Sequence, residues 1–505
     1  MKRLLALLLL SATLFSLVAC PAAGPTGPGS SGDEGEIAYL DNIGDKNFEG
    51  EEVVFSTMDW TAYEIYYEDD KPDVCDEELY KRNARLQDRF NVVITPLYKA
   101  GHSAVLHTED VRTAVMNGDD SFDVSMIQIW MAGPMVTGGW FYDLREWIPY
   151  VKDSLNSGAD WWSPGINTSY TIYGHQYIAV SDLNLTALQG TWCCVFNKQM
   201  VEDENIATNL GYESMYDYVK AGKWTLENFY MIVKDRYEDN KTSGGGVDER
   251  DEGDTYGFVT NTPHYFELQA VAAGIELIKN DGEMTPELTP FTAFSTVAED
   301  IYDIVSSAGY YTPTPIGKSA VHLFSEGTAL FAMHAFNSLE SDIIHDSDVD
   351  FGVLPLPKAN EGQKHYYSGS DDSMTSIQIP TTWYDATRME RVGAVLEALS
   401  AESHRVVIPA YYELVLKHKN TRDEASIEMI EIIYEGRRFN LAQIHSKDKE
   451  QLYAGEPSGK YYGLFYVMRE FGKNPTAVST WWESSQELLE TRLNELIDTY
   501  NSINS

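Results

Sequence analysis

Apolar positions along this chain follow two rhythms, and they alternate in order. Glu52-Val53-Val54-Phe55-Ser56 is a short β-rich run leading into Thr57-Met58-Asp59-Trp60; Val92-Val93-Ile94 and Asp123-Val124-Ser125-Met126-Ile127 are two more. Between them, Leu79, Leu86 and Phe90 recur at helical spacing among charges over Asp76 to Phe90. Val111 and Val115 share one face of a second helical segment, Ser103 to Asn117. Strand, helix, strand, helix, strand predicts an open parallel sheet, in which ligands collect on the loops beyond the carboxyl ends of the strands. Two such loops carry Trp60 and Trp130.

The middle of the chain repeats the alternation. Trp192 to Asn197 reads as a strand, Lys223-Trp224-Thr225 opens a helix running to Lys234 with Thr225 as N-cap, and Tyr256 to Val259 is a strand again. The stretch from Asp239 to Asp254 is polar, Gly-rich and charged; it lacks the regular acidic alternation of a calcium loop and is expected to be solvated surface. Leu323 to Gly327, the strand-like Ala329 to Met333 and then Asp350 to Pro357 follow. The tail is helical in period over Tyr384 to Ala401, Ile427 to Tyr434 and Pro475 to Ile503. The expected fold class is therefore α/β, two α/β units with a helical C-terminal part.

The first twenty residues belong to neither unit. Lys2 and Arg3, the apolar run Leu4 to Leu10 and the ending Leu17-Val18-Ala19-Cys20 make an export signal, shorter than the roughly 20 apolar residues that span a bilayer. LVAC resembles the lipobox of bacterial lipoproteins. The resemblance implies cleavage of residues 1–19, acylation of Cys20 (palmitate among the chains), and a stable two-chain anchor at the extracellular face of the cell membrane. PAAGPTGPGSSGDEGE follows, with nothing bulky to bury, so residues 20–49 are expected to be a lipid anchor and flexible tether.

Composition narrows the partners. A net charge of -41 disfavours nucleic acid and docking on anionic lipid through a basic face. Besides Cys20 there are Cys75 and the adjacent Cys193 and Cys194, too few for a disulfide framework, so the fold is expected to rest on its cores. With 32 Tyr and 11 Trp, amphipathic binding platforms are available.

Catalytic signatures are missing. There is no G-x-S-x-G and no HExxH, and His102 and His107, five apart, read as surface. Gly309 to Ser319 ends in Gly-Lys-Ser, but its glycines are spaced too widely for a P-loop. Asp371-Asp372 in SGSDDS point opposite ways on an extended chain and cannot flank one glycosidic bond together; a surface turn is expected. The expectation is a non-enzyme with no cofactor and no metal. A secreted carbohydrate-active enzyme is the alternative, without a positive motif, as is a lipoprotein presenting ligand to a sensor.

Four segments in order, Tyr177-Ile178-Ala179-Val180, Phe196-Asn197-Lys198, Lys223 to Phe229, and Phe324 to Met333 followed by DFGVLPLPK from Asp350 to Lys358, resemble extracellular solute-binding proteins of the carbohydrate-uptake type, the maltose-binding-protein family. The resemblance implies two lobes joined by crossover segments, 50–182 with 359–415 and 183–358 with 416–505. It also implies a hinge, and a monomer that holds a sugar or oligosaccharide in the cleft and hands it to ABC permease subunits. An insert between Val180 and Asn197 and the long loop near Gly244 depart from the pattern. Carried over by position, Trp130 falls where the family has sugar contacts and Asp182 where it has an acidic acceptor. Tyr265, Phe336 and Asn337 fall at stacking loops, and Trp481 or Trp482 at a late aromatic. Gln128, two residues before Trp130, can take a sugar hydroxyl, and Trp60 and Trp192 complete the candidate set. The residue types suit the chemistry: aromatic rings pack the C–H face of a pyranose, and amides and carboxylates bind its hydroxyls in pairs. One sugar face of about 50 Å² is worth on the order of 1 kcal/mol, so micromolar binding needs several aromatics.

Overall fold

A computed structural model describes residues 40–67, 74–240, 250–261, 264–313, 318–415, 424–445 and 475–503. The export signal, Cys20, the tether up to residue 39 and the loop around Gly244 lie outside them; residues 40–49, expected to be tether, pack instead, with Leu40, Ile43 and Phe48 buried and the Phe48 N–H on Phe90 O at 2.8 Å. Among the described residues no helix is long and apolar enough to cross a membrane.

The three apolar runs near the start become β1 (Glu51–Ser56), β2 (Val92–Leu97) and β3 (Val124–Gln128), with β1 parallel to both others. β3 is buried along its whole length, so Val124 and Met126 on one face and Ile127 on the other are all covered. Helix α1 (Val74–Phe90) turns Leu79, Leu86 and Phe90 inward. Helix α2 (Ala104–Asn117) starts at Ser103, whose side chain accepts the Leu106 N–H, and stops at Gly118, where φ of 65° suits a residue without a Cβ.

The second sheet has six strands. β4 (Trp192–Asn197), β6 (Thr255–Thr260), β10 (Ala329–Ala335) and β11 (Phe351–Leu354) form its body, with the short β5 (Tyr237–Glu238) and β9 (Tyr310–Tyr311) both on β6; a separate two-residue pair, β7 (Ile278–Lys279) and β8 (Glu287–Leu288), stands apart. Its order is β11-β4-β10-β6-β5, with β10 parallel to β6 and antiparallel to β4. The Trp-Thr helix start is held against the Pro-rich run: Trp224 Nε1 donates to Pro355 O at 2.8 Å, and Thr225 caps the helix Leu226–Val233 while bridging to Lys358. Two of the four quoted segments therefore act as one structural unit.

After β11 the chain returns to the first sheet as β12 (Thr375–Gln378), antiparallel to β3. The first sheet therefore runs β12-β3-β1-β2. The last helix, Pro475–Ile503, buries Trp482, Leu489, Leu493, Leu496 and Tyr500, a helical stripe; Trp482 packs on Phe291 and Phe294, and Tyr500 on Tyr177.

Three further expectations are corrected. His107 is buried, with Nε2 3.1 Å from Ser56 Oγ, and burial pushes its pKa down to about 4. Asp254, at the end of the supposedly solvated loop, is interior: its carboxylate accepts from Tyr237 Oη and the Asn240 and Asp251 N–H groups. Asp371-Asp372 do enter a turn, with the Ser373 N–H on Asp371 Oδ1 at 2.9 Å, but it is not on the surface. Asp372 is buried, and Asp371 N donates to Gly190 O, between the two sheets.

Candidate functional site

The registers of the two sheets define one place on the molecule. Gln128, the last residue of β3, pairs with Thr375, the first of β12; Ala335, the last of β10, pairs with Trp192, the first of β4. The segments leading into β4 and β12 are themselves paired, Thr191 with Ser370, and Trp192 N donates to Gly369 O at 3.0 Å. Beyond the carboxyl ends of β3 and β10 the chain enters not loops but the helix Ile129–Val136, which carries Trp130, and the 3-10 turn Phe336–Ser338; both leave their strands beside the shared crossover floor. The floor is tight. A Cβ on Gly190 would stand 2.6 Å from Ser370 Oγ and 3.1 Å from Thr186 O.

On the first-sheet side, Trp130 is partly buried and its Nε1 donates to Gln128 Oε1 at 3.0 Å; Gln128 Nε2 in turn donates to the crossover carbonyl of Ser373 at 2.6 Å. Both ends of the Gln128 amide are thereby engaged in fixing the indole over the floor. Trp60, beyond β1, is 48% exposed. On the second-sheet side, Asn337 is exposed on the turn after β10, whereas Phe336 before it is packed in the core, its N–H on Thr191 O. Trp192 is buried and stacked on His334 at 5.9 Å, and burial pushes His334 down to about 4, keeping its ring neutral. Tyr265 lies in the interior of the second core, edge-on to Phe258. The Trp481 side chain lies outside the described residues. Trp192, Tyr265 and Phe336 therefore line cores, while Trp130 with Gln128 beyond β3 and Asn337 beyond β10 stay at the ends of their strands.

Asp182 is a hub. It begins the first crossover, and its buried carboxylate accepts from His404 Nδ1 at 2.7 Å, Tyr434 Oη at 2.6 Å and Arg437 Nη2 at 3.4 Å, with the Arg437 guanidinium 4.0 Å over the Tyr434 ring. Arg437 also bridges to Ser368 in the return crossover. One carboxylate thus joins three segments that pass between the sheets.

Sequence reasoning missed a second buried carboxylate. Glu64 accepts from Thr186 N and Oγ1, both at 2.8 Å, and from Thr375 Oγ1 at 2.7 Å, linking the turn after β1 to both crossovers. Burial pushes its pKa up to about 7, against those hydrogen bonds and the charge of Arg82. Nearby, Tyr63 donates to Gln189, Gln189 Nε2 to Glu340 at 3.3 Å, and Tyr411 to the same Glu340. Glu397 takes the indole N–H of both Trp161 and Trp162, at 3.0 and 2.8 Å, and the Ser154 hydroxyl at 2.6 Å. A lone acid in DWTAYE or RVGAVLEAL carries no signal of burial. The adjacent Trp161-Trp162 pair, with two N–H groups to satisfy, was the available hint.

Compared by sequence, the chain matches no family model and no curated protein. Its structure has clear likenesses. Apo RafE from Streptococcus pneumoniae aligns at a TM-score of 0.50 and 13% identity, over 90% of this chain and 99% of that one. A cyclo/maltodextrin-binding protein complexed with maltotetraose gives 0.49 and 13%, over 89% and 96%, and the maltose/maltodextrin-binding domain MalE from Bdellovibrio bacteriovorus, bound to maltotriose, gives 0.48 and 15%, over 88% and 100%. The likeness to RafE shows the fold: a two-lobed, periplasmic-binding-protein-like α/β architecture.

Proposed function

We propose that this protein is a lipid-anchored extracellular solute-binding protein that captures a sugar or oligosaccharide above the crossover floor and delivers it to an ABC importer. The observation that carries the reading is Trp130, held by Gln128 on one side of the floor, with Asn337 exposed on the other. An aromatic ring whose orientation is fixed in advance, with amides within the same cleft, is what recognition of a pyranose requires. The hub at Asp182 and the carboxylate of Glu64 hold the crossovers together, which suits a hinge between a lobe built on the first sheet and one built on the second; the buried residues from Trp482 to Tyr500 belong to the core of the first. The RafE fold supports the same reading.

A thermal-shift screen of mono- and oligosaccharides, followed by small-angle scattering on the best binder, tests it. A stabilising sugar should reduce the radius of gyration, since a ligand closes the lobes only through its preference for the closed form. No sugar response, or turnover of a bound oligosaccharide, overturns the proposal. The anchor is tested separately: Cys20→Ala should abolish metabolic labelling with palmitate, and persistent labelling refutes it.

A further inference from the structure

Away from the cleft residues, a turn and a hairpin bring three metal-ligating side chains together. Asp143 and Glu146 lie on the turn that follows the Phe141–Pro380 bridge, and His175 closes the small hairpin paired through Ile172. His175 Nδ1 is 2.6 Å from Asp143 Oδ2. The other oxygen, Asp143 Oδ1, receives the backbone N–H groups of Arg145 at 3.0 Å and Gln176 at 3.2 Å, which fixes the carboxylate with Oδ2 turned toward the histidine. One ligand atom from each of Asp143, Glu146 and His175 lies within 4.8 Å of the others.

We propose that Asp143, Glu146 and His175 bind a divalent first-row transition cation, with Zn2+ the best fit. Two carboxylates and an imidazole match borderline-soft N/O coordination at about 2.0 to 2.2 Å, whereas Ca2+ takes oxygen ligands alone. The buried Asp143 supplies the rigid side of the site, and the exposed Glu146 can swing in and leaves an open side for water and for entry. Binding requires the Nδ1 lone pair, so His175 would ligate as the tautomer with its proton on Nε2, the metal sitting between Nδ1 and Asp143 Oδ2. The charge balances, with two carboxylates against one dication. Arg145, the nearest cation on the turn, is drawn elsewhere, its Nε on Gln176 Oε1 at 2.8 Å and Nη1 on Asn156 Oδ1 at 3.1 Å. The ion would pin the turn to the hairpin beside Tyr177, whose ring packs on Tyr500 of the last helix.

Calorimetric titration of the tag-free, chelator-treated chain with ZnCl2, paired with thermal melts, tests this. Wild type should bind one Zn2+ and melt several degrees higher with it, and CaCl2 should do neither. His175→Ala should lose the binding. Glu146→Gln, on an exposed side chain whose loss leaves folding intact, should weaken it roughly tenfold or more, since even outer-shell losses cost that much. No Zn2+ response in wild type, unchanged binding in both variants, or a Ca2+ response equal to that of Zn2+ overturns the proposal.

Discussion

Glu64→Gln isolates the contribution of the buried carboxylate that links the two crossovers. Burial raises the pKa of Glu64 from 4.5 to about 7 in the fold. An acid that holds its proton more tightly folded than unfolded makes stability fall as pH rises between those two values, and adds no further change above them. The difference, 7 minus 4.5, is 2.5, or about 3 kcal/mol at roughly 1.36 kcal/mol per unit. The amide of the variant is neutral throughout and lacks this slope. It also leaves the buried Arg82 without that counter-charge and changes the bonds to Thr186 and Thr375, but those costs depend little on pH and cancel when slopes are compared. Urea unfolding of both proteins at pH 5 and pH 8 is the assay. Wild type should lose about 2 to 3 kcal/mol more than the variant between the two conditions. Parallel profiles would mean that Glu64 is ionised in the fold at pH 5 and that the threonine hydrogen bonds outweigh its desolvation.

Trp130→Ala should weaken sugar binding by about 1 to 3 kcal/mol, tenfold to more than a hundredfold, while lowering the melting temperature by only a few degrees, because the ring is partly buried rather than central to a core; titration calorimetry showing unchanged affinity would remove it from the site. His404 offers a second pH test. Burial acts to lower its pKa, but the hydrogen bond and charge of Asp182 outweigh it and hold the pKa above its ordinary value. Its stabilisation is complete below about pH 6.5 and is lost as pH rises through the elevated folded value. Replacing His404 with Gln should flatten that part of the melting profile, and an unchanged decline would show that the imidazolium is not held by Asp182.

Much of the fold was legible because its strands are apolar on both faces and its helices carry caps. Val53 to Phe55, Ser125 to Ile127, Ala329 to Met333 and the Thr225 cap fell where the residues predicted. β12 was missed because Thr375-Ser376-Ile377-Gln378 is polar. Its side chains are buried by hydrogen bonding, Ser376 Oγ to Ile127 O at 2.8 Å and Ser125 Oγ to Gln378 Oε1 at 3.2 Å, a pattern that hydropathy does not register. Trp130 is announced by the strand it follows, but the clamp from Gln128 depends on Ser373, 245 positions away. Glu64, Asp182 and Glu397 were illegible as buried anchors because their donors come from distant segments.

The helix Pro475–Ile503 also has a bearing on the order in which the molecule can be made. Trp482, Leu489, Leu493, Leu496 and Tyr500 belong to the same core as Ile127, Met131 and Ile178. As the chain emerges from its N-terminus, β1 to β3 can assemble early, yet their apolar neighbours stay uncovered until the final segment arrives. Nothing near in sequence can substitute for it. High sequence separation of this kind slows folding and prolongs the exposure of sticky surface. A chain released before Trp482 would therefore be a target for proteolysis and aggregation, even though every residue of the crossover floor, and Arg437 that bridges to it, had already been made.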